Sequence, residues 1–473
     1  METTPLLEKV SPGTKVNVKS LIINNIIVCL LASGTHIYMP VMSQYIYHRV
    51  ADSVFGNDTR IKNFTVLAPC FQNTSDEGYR LQEKAQQIAS TKLWQYSSAS
   101  AGIAVFSNII LGSYSDIIGR KFLFLCPMAG HLLRNAMTAV IIHWRLDLNY
   151  FFLATGVDGL LGGGWGFMLA TMAYTADHTP PEQSRSLNIV ILECVIGLSE
   201  SFASTATGYF IQNTGFFYPS LTSAAVTLLD MLLVVCFIES SKPTDSNDKE
   251  SSKSLLHGMR NITDIYFGGS VLKRAIFWLG LCVFFFSSLS DGGGSNIDTL
   301  FFMNLPFCWS PEKMGIYDTI STVVRKTFGV AIVRLLQCCC SDITMGMLGL
   351  ISNAGGEMLF AFASVEWMLY LGYPGVAIVG FLPTPMARSI LSKQLPSNRQ
   401  GAIFASLAVV QALCSVVAAV VYNNIYQVTV TFWRGAVYMS YAATNGITLI
   451  VFIVMAILIQ KQRKSTAQQI NVN

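Results

Sequence analysis

The sequence predicts an all-α membrane protein with twelve transmembrane helices in two six-helix halves. Three observations predict it: twelve apolar stretches of spanning length, one hydrophilic interruption midway, and a charge content far below that of water-soluble chains. Of 473 residues, 52% are apolar and 12% charged, with mean hydropathy +0.47, where a soluble globular chain carries about 25% charged residues. A water-soluble enzyme is thereby disfavoured. The net charge of +4 is spread along the chain with no long basic run, so nucleic acid is not an expected partner. Met1 to Ser20 is polar and lacks a short apolar core followed by small cleavage-site residues, which predicts that no leader is removed.

A bilayer-crossing helix takes roughly 20 mostly apolar residues. Such segments fall near 21–47, 94–114, 122–142, 150–174, 187–211 and 216–238, then near 275–303, 314–337, 343–363, 367–391, 400–424 and 432–460. They divide the chain into a tail (1–20), a first half (21–238) with a large outer loop at 48–92, a linker (239–274), a second half (275–460) and a tail (461–473). Lys and Arg near helix ends set the orientation. Lys9, Lys15 and Lys19, Arg120 with Lys121, the basic residues from Lys242 to Arg274, Lys393 with Arg399, and Lys461, Arg463 and Lys464 fall on one side. Both termini and the linker are therefore expected in the cytosol. The 48–92 loop breaks the bias, as long loops do. It carries glycosylation sequons at Asn57, Asn63 and Asn73, fitting a segment that faces the secretory lumen; a fourth, Asn261, falls in the linker and is expected to stay bare.

Of 11 cysteines, only Cys70 and Cys308 fall in expected outer loops, the side where disulfides persist. A bridge between them would tie the two halves together. Cys29, Cys126, Cys194, Cys236, Cys282 and Cys414 lie in apolar helices as small buried hydrophobes, and Cys338, Cys339 and Cys340 at a cytosolic helix end are candidates for S-acylation. Metal-ligand spacing is absent.

Between the second and third segments the chain reads Gly112, Ser113, Tyr114, Ser115, Asp116, Ile117, Ile118, Gly119, Arg120, Lys121. Gly112 lets two helices approach closely, Gly119 tolerates a tight turn, and the Asp116 carboxylate can hold a helix N-terminus or an arginine across the interface between halves. Such contacts can latch one conformation. The run resembles the G-x-x-x-D-x-x-G-R-K loop signature of the major facilitator superfamily, whereas the matching loop at Ser341 to Met345 is degenerate. Pro306-Phe307-Cys308-Trp309, Leu335-Leu336-Gln337-Cys338, Arg388 to Lys393, Gln400 to Phe404 and Tyr422 to Tyr426 extend a closer resemblance over nearly the whole chain. They resemble the family of the proton-coupled folate transporter, which includes lysosomal and thymic-stromal members. That resemblance implies the twelve-helix fold, inward proton symport with an organic anion, and the Cys70–Cys308 bridge.

An ionisable residue at a helix centre costs on the order of 3 kcal/mol on the lenient insertion scales, so each is a functional candidate. In the fifth segment Glu193, Gly197, Glu200 and Ser204 recur at i, i+4, i+7 and i+11, placing both carboxylates on one face. Glu193 is then either a proton carrier in a wet cavity or half of a structural ion pair with an arginine. The resemblance implies a proton-coupling glutamate at this position. In the seventh segment Asp291 adjoins Gly292, Gly293 and Gly294, a run that favours a broken helix lining a cavity. Asp291 stands where the folate transporter has a histidine and Gly163 where it has an acidic residue, departures that argue against folate itself. Arg388, a position the resemblance links to substrate or proton handling, together with Arg325, Lys326 and Arg134, supplies positive charge for a carboxylate or phosphate. Asp158, Asp230 and Glu357 are expected in interhelical pairs, and Trp165 and Tyr317 either stack on a planar ring or pack. Glu2, Leu6 and Leu7 fit an acidic dileucine address read by sorting adaptors, compatible with plasma membrane or lysosome.

Together these point to proton-coupled symport of a small organic anion at Glu193, Asp291, Glu200, Arg388 and Arg325, with the lipid bilayer and the solute as partners and the proton as the coupling ion in place of a cofactor. A proton-independent uniporter and a non-transporting sensor or stromal adaptor are the rivals. No catalytic constellation is legible.

Overall fold

The computed structural model describes residues 17–55, 77–180, 183–238, 266–268, 270–292, 297–298, 301–302, 306–309, 311–394, 400–429 and 432–472. Asn57, Asn63, Asn73, Cys70, Asn261, Glu2, Leu6 and Leu7 lie outside them. The described residues are mostly helical and contain no strand. In chain order they form α1 (Val18–Phe55), α2 (Glu77–Ile118), α3 (Arg120–His143), α4a (Tyr150–Leu160), α4b (Gly163–Asp177), α5 (Gln183–Thr214) and α6 (Phe217–Phe237). After the linker come α7 (Val271–Gly292), α8 (Pro311–Leu336), α9 (Asp342–Ala361), α10a (Glu366–Leu371), α10b (Pro383–Lys393), α11 (Gln400–Thr429) and α12 (Ala436–Val472). Counting the interrupted fourth and tenth once each, these are twelve, and among the described residues seven helices are by themselves long and apolar enough to cross a membrane.

Local chemistry sets several boundaries. Gly119, at φ 104°, separates α2 from α3 in a conformation that an L side chain resists. Gly162 and Gly163, at φ 104° and 57°, break the fourth helix. Ser341 caps α9 by accepting the Thr344 amide, with Asp342 in the first turn. Pro383 opens α10b with its ring preset for the first helical position. Helix also extends beyond the apolar segments. α1 reaches Phe55 and α2 begins at Glu77, so both ends of the expected 48–92 loop are helical; α12 likewise continues through most of the expected 461–473 tail. Residues such as Glu, Lys and Gln form helix well without being apolar, and a hydropathy window does not register them.

Each half packs within itself, α1 against α5 and α6 in the first and α12 against α7 and α9 in the second, while α2 and α4b meet α11 and α5 meets α8 and α10b across the halves. The two ends of the bundle differ. At the end carrying the Gly119 turn, one continuous apolar cluster draws residues from both halves, among them Phe124, Leu192, Phe284 and Phe404. At the far end the core splits: Tyr45, Tyr96 and Phe151 belong to a cluster of the first half only, and Phe302, Trp309 and Tyr438 to one of the second half only. The halves are therefore joined at the turn end and part toward the far end.

Candidate functional site

The turn end is closed by side chains that cross between halves. Ser186, on α5, is fully buried; its hydroxyl lies 2.7 Å from Asp342 Oδ2, 2.8 Å from Ser389 Oγ, and accepts from Lys393 Nζ at 2.7 Å. Asp342 and Lys393 are themselves paired at 2.5 Å. Beside them Arg185 donates to Ser392 Oγ at 3.2 Å and to the Thr179 carbonyl at 2.9 Å. Gly112 on α2 lies so close to α11 that a Cβ placed on it would sit 2.0 Å from Ala405 Cβ. Arg120 grips Asp177 through Nε at 2.6 Å and Nη2 at 3.3 Å, and Lys121 donates to the Val235 carbonyl at 2.6 Å; both contacts lie within the first half. The Asp116 side chain is outside the described set.

Midway along the bundle the two halves meet through charge. Arg388 on α10b is 2% exposed and forms an ion pair with Glu193 of α5, while its Nη2 donates to Gln411 of α11 at 2.5 Å and its guanidinium lies 5.3 Å from the Phe284 ring centre. A guanidinium's fork of donors permits this simultaneous engagement of a carboxylate and an amide. Thr384, one turn before Arg388, donates to Asp291 Oδ2 at 2.8 Å. Asp291 itself is exposed, at the penultimate position of α7; Gly293 and Gly294 fall outside the described residues. Lys326 lies along Gly197, where a Cβ would meet its Cε at 2.7 Å, and sets its ammonium 4.6 Å from the Phe381 ring centre. Arg325 donates to the Ala377 carbonyl at 3.2 Å and faces the Tyr373 ring at 5.2 Å.

Glu200, two turns beyond Glu193, pairs with His36 of α1 at 2.9 Å and lines a cavity of about 430 Å³. Asp158, which lines the same cavity, is held between His131 at 2.8 Å and Arg134 at 3.0 Å. The remaining wall is mainly apolar, with Met39, Phe167 and Trp165 among its residues, and Ser415 of α11 touches it from the second half. Tyr317 is instead buried in the far-end aromatic cluster and donates to the Leu369 carbonyl at 2.9 Å.

The expected pairing of Asp158 is seen, and Glu357 accepts a hydrogen bond from Tyr373 at 3.0 Å. For Asp230 the expectation fails: it is fully buried on α6, and neither carboxylate oxygen has a hydrogen-bond partner among the described residues. Cys308 is disulfide-bonded, while Cys338 and Cys339 are exposed free thiols. His36, His131 and Gln411 were not singled out in sequence, although two histidines inside apolar segments are themselves a signal for ionisable groups at membrane depth.

The superfamily profile of the Major Facilitator Superfamily matches residues 25–419. The chain is 27% identical over 427 residues to the proton-coupled folate transporter of Bos taurus, covering 89% of this chain and 88% of that one. It is 25% identical to the lysosomal proton-coupled steroid conjugate and bile acid symporter of Gallus gallus over 400 residues, covering 84% and 85%. In fold it resembles the human organic anion transporter MFSD10 (TETRAN), with TM-score 0.65 at 15% identity over 93% of this chain and 100% of that one. These relatives are transporters, and the protein is a multi-pass membrane protein rather than an enzyme. A profile match across most of the chain, on twelve helices in two packed halves, makes it a member of the major facilitator superfamily.

Proposed function

We propose that this protein is a proton-coupled symporter that carries an amphipathic organic anion toward the cytosol. The observation that carries the reading is the Glu193–Arg388 ion pair, which joins the two halves at mid-bundle. An anion seeking Arg388 must displace the Glu193 carboxylate. A proton on Glu193 removes that competitor and frees the guanidinium, so solute and proton are favoured together, and the loaded pair of sites is neutral while the halves rock past one another. Charge neutralisation matters because an unpaired charge at this depth is expensive. Asp291, exposed beside Thr384, is the second acid we assign to this step.

With the Lys393, Arg120 and Lys121 side in the cytosol, as the basic residues favour, the joined turn end is a shut cytosolic gate and the parted far end opens to the lumen or cell exterior. The cavity beside Glu200 supports an anion with an apolar body: its walls are mainly apolar and its charged residues, Arg134, His36, His131, Asp158 and Glu200, are confined to a few positions. Steroid conjugates and bile acids, the cargo named for the Gallus gallus relative, have that form, and we favour them over folates, the cargo named for the Bos taurus relative. An acidic endosomal or lysosomal lumen would supply the driving gradient, with adaptors reading Glu2, Leu6 and Leu7.

The test is uptake of a radiolabelled sulfated steroid, a bile acid and a folate into proteoliposomes that are acidic outside and neutral inside. Accumulation of one of these anions that collapses with the pH gradient supports symport. In Glu193→Gln the gradient dependence should vanish while the anion still binds; gradient-driven accumulation equal to wild type refutes the assignment, and uptake indifferent to a pH step in wild type identifies a uniporter.

A further inference from the structure

The tenth helix is interrupted where it crosses the ninth. Between α10a and α10b the chain makes a π-turn, Gly372–Val376, and such turns recur at functional sites. α9 packs closely on it: a Cβ on Gly356 would sit 2.7 Å from Ala377 Cβ, and one on Gly372 would meet the Phe360 ring at 2.5 Å. In that seam lies Glu357, 4% exposed. Its Oε1 accepts from Tyr373 Oη at 3.0 Å, and its Oε2 is buried with no hydrogen-bond partner among the described residues.

The charges around Glu357 do not balance if it is ionised. Arg325 of α8 is the cation that acts on it, and the same guanidinium also acts on Asp291 of α7, on Asp298 and on Asp318 of α8. Arg325 is already directed at the Ala377 carbonyl and the Tyr373 ring. Asp298 and Asp291 also act on Glu357, as like charges, and the phenols that interact with it are Tyr373 on the π-turn, Tyr438 and Tyr441 on α12, and Tyr422 on α11. Asp298 accepts from Tyr438 at 2.7 Å, so that phenol is spoken for. A buried carboxylate with one neutral donor and one bare oxygen is far costlier than the neutral acid in the same place.

We propose that Glu357 is a second proton site, separate from the Glu193–Arg388 pair and seated at the break of the tenth helix. The proton sits on the oxygen that has no partner, and the phenol of Tyr373 holds the other. Ionisation there would draw Arg325 from the Ala377 carbonyl and so act on the hinge that leads into α10b, which carries Thr384 and Arg388.

Infrared difference spectroscopy of the purified protein in lipid nanodiscs at neutral pH tests this without any solute. Wild type minus Glu357→Gln should show a carboxylic-acid C=O band that moves on exchange into D₂O. Tyr373→Phe, which keeps the acid and removes its donor, should shift that band to higher frequency. The proposal is overturned if the Glu357→Gln difference contains carboxylate stretches alone, or, should that variant not fold, if Tyr373→Phe leaves every acid band in place. Because neither spectrum depends on transport, failure here is distinguishable from failure of symport through Glu193.

Discussion

Replacing Ser186 with alanine should open the turn end. The hydroxyl is fully buried, and its three partners, Asp342, Ser389 and Lys393, all belong to the opposite half. Two of those partners are charged, and a hydrogen bond to a charged group contributes about 1.5–3 kcal/mol net. The Lys393–Asp342 pair survives the change, so the second half keeps its own structure and the loss falls on the contact between halves. That contact exists only while the turn end is shut; in the other state the hydroxyl is free to meet water. Taking one such bond as the net loss, because Lys393 and Asp342 still satisfy each other, and about 1.4 kcal/mol per tenfold, the ratio of shut to open molecules should fall by roughly 10- to 150-fold. Single-molecule energy transfer between dyes at Lys84 and Trp367, exposed positions in opposite halves, reads that ratio in a background cleared of native surface thiols. Thr205→Ala is the control, since its bond to Thr319 is exposed and lies toward the far end; its populations should stay near wild type. Equal populations in Ser186→Ala and wild type would show that the crossing hydroxyl does not hold the gate.

Three further outcomes follow from local geometry. Gly112→Ala places a methyl 2.0 Å from Ala405 Cβ, so it should favour the open turn end in the same energy-transfer assay, and the double change Gly112→Ala with Ala405→Gly should restore the wild-type ratio. Asp230→Leu removes a buried carboxylate that has no partner among the described residues, which should raise the melting temperature in detergent, equivalent to about 1–3 kcal/mol; a lower melting temperature would mean the acid is needed where it stands. At the far end the Lys313 ammonium and the Trp309 indole both donate to Glu366, holding its carboxyl below the ordinary glutamate value. A depressed value means the folded state's advantage is complete above about pH 4.3 and is lost only as pH falls through the lowered value. The pair is half exposed and contributes at most about 1 kcal/mol, so the melting-temperature deficit of Lys313→Met should be the same at pH 7 and in a mildly acidic lumen, and should disappear only in strong acid.

Apolar length made the helices legible, and the Gly112 to Lys121 spacing made the superfamily legible, because both are local properties of a chain that must satisfy its backbone within a bilayer. Pairing is not local. Glu193 and Arg388 are 195 positions apart, and the sequence offered Glu193 as a carboxylate with two fates, proton carrier or ion-pair partner. In the structure Glu193 is bonded to Arg388 across the two halves, and under the function proposed above that same pair is what a proton would break, so the two fates need not exclude each other. The interruption of the tenth helix shows the opposite limit. Gly372, Pro374 and Gly375 sit in the run that breaks, yet the apolar window passes over them because Leu, Val and Ile on either side keep its mean high. What decides the break is the close approach of α9 at Gly356 and the reach of Arg325 to the Ala377 carbonyl, contacts whose partners come from three different helices. The sequence expects Arg325 beside Arg388 at the solute; in the structure its guanidinium donates to the Ala377 carbonyl, a second hydrogen bond to an oxygen that already accepts from the Gly380 amide, and faces the Tyr373 ring. A cation that a sequence assigns to cargo can thus engage a helix break instead, and under the function proposed above Arg388 is the residue left to anchor the cargo.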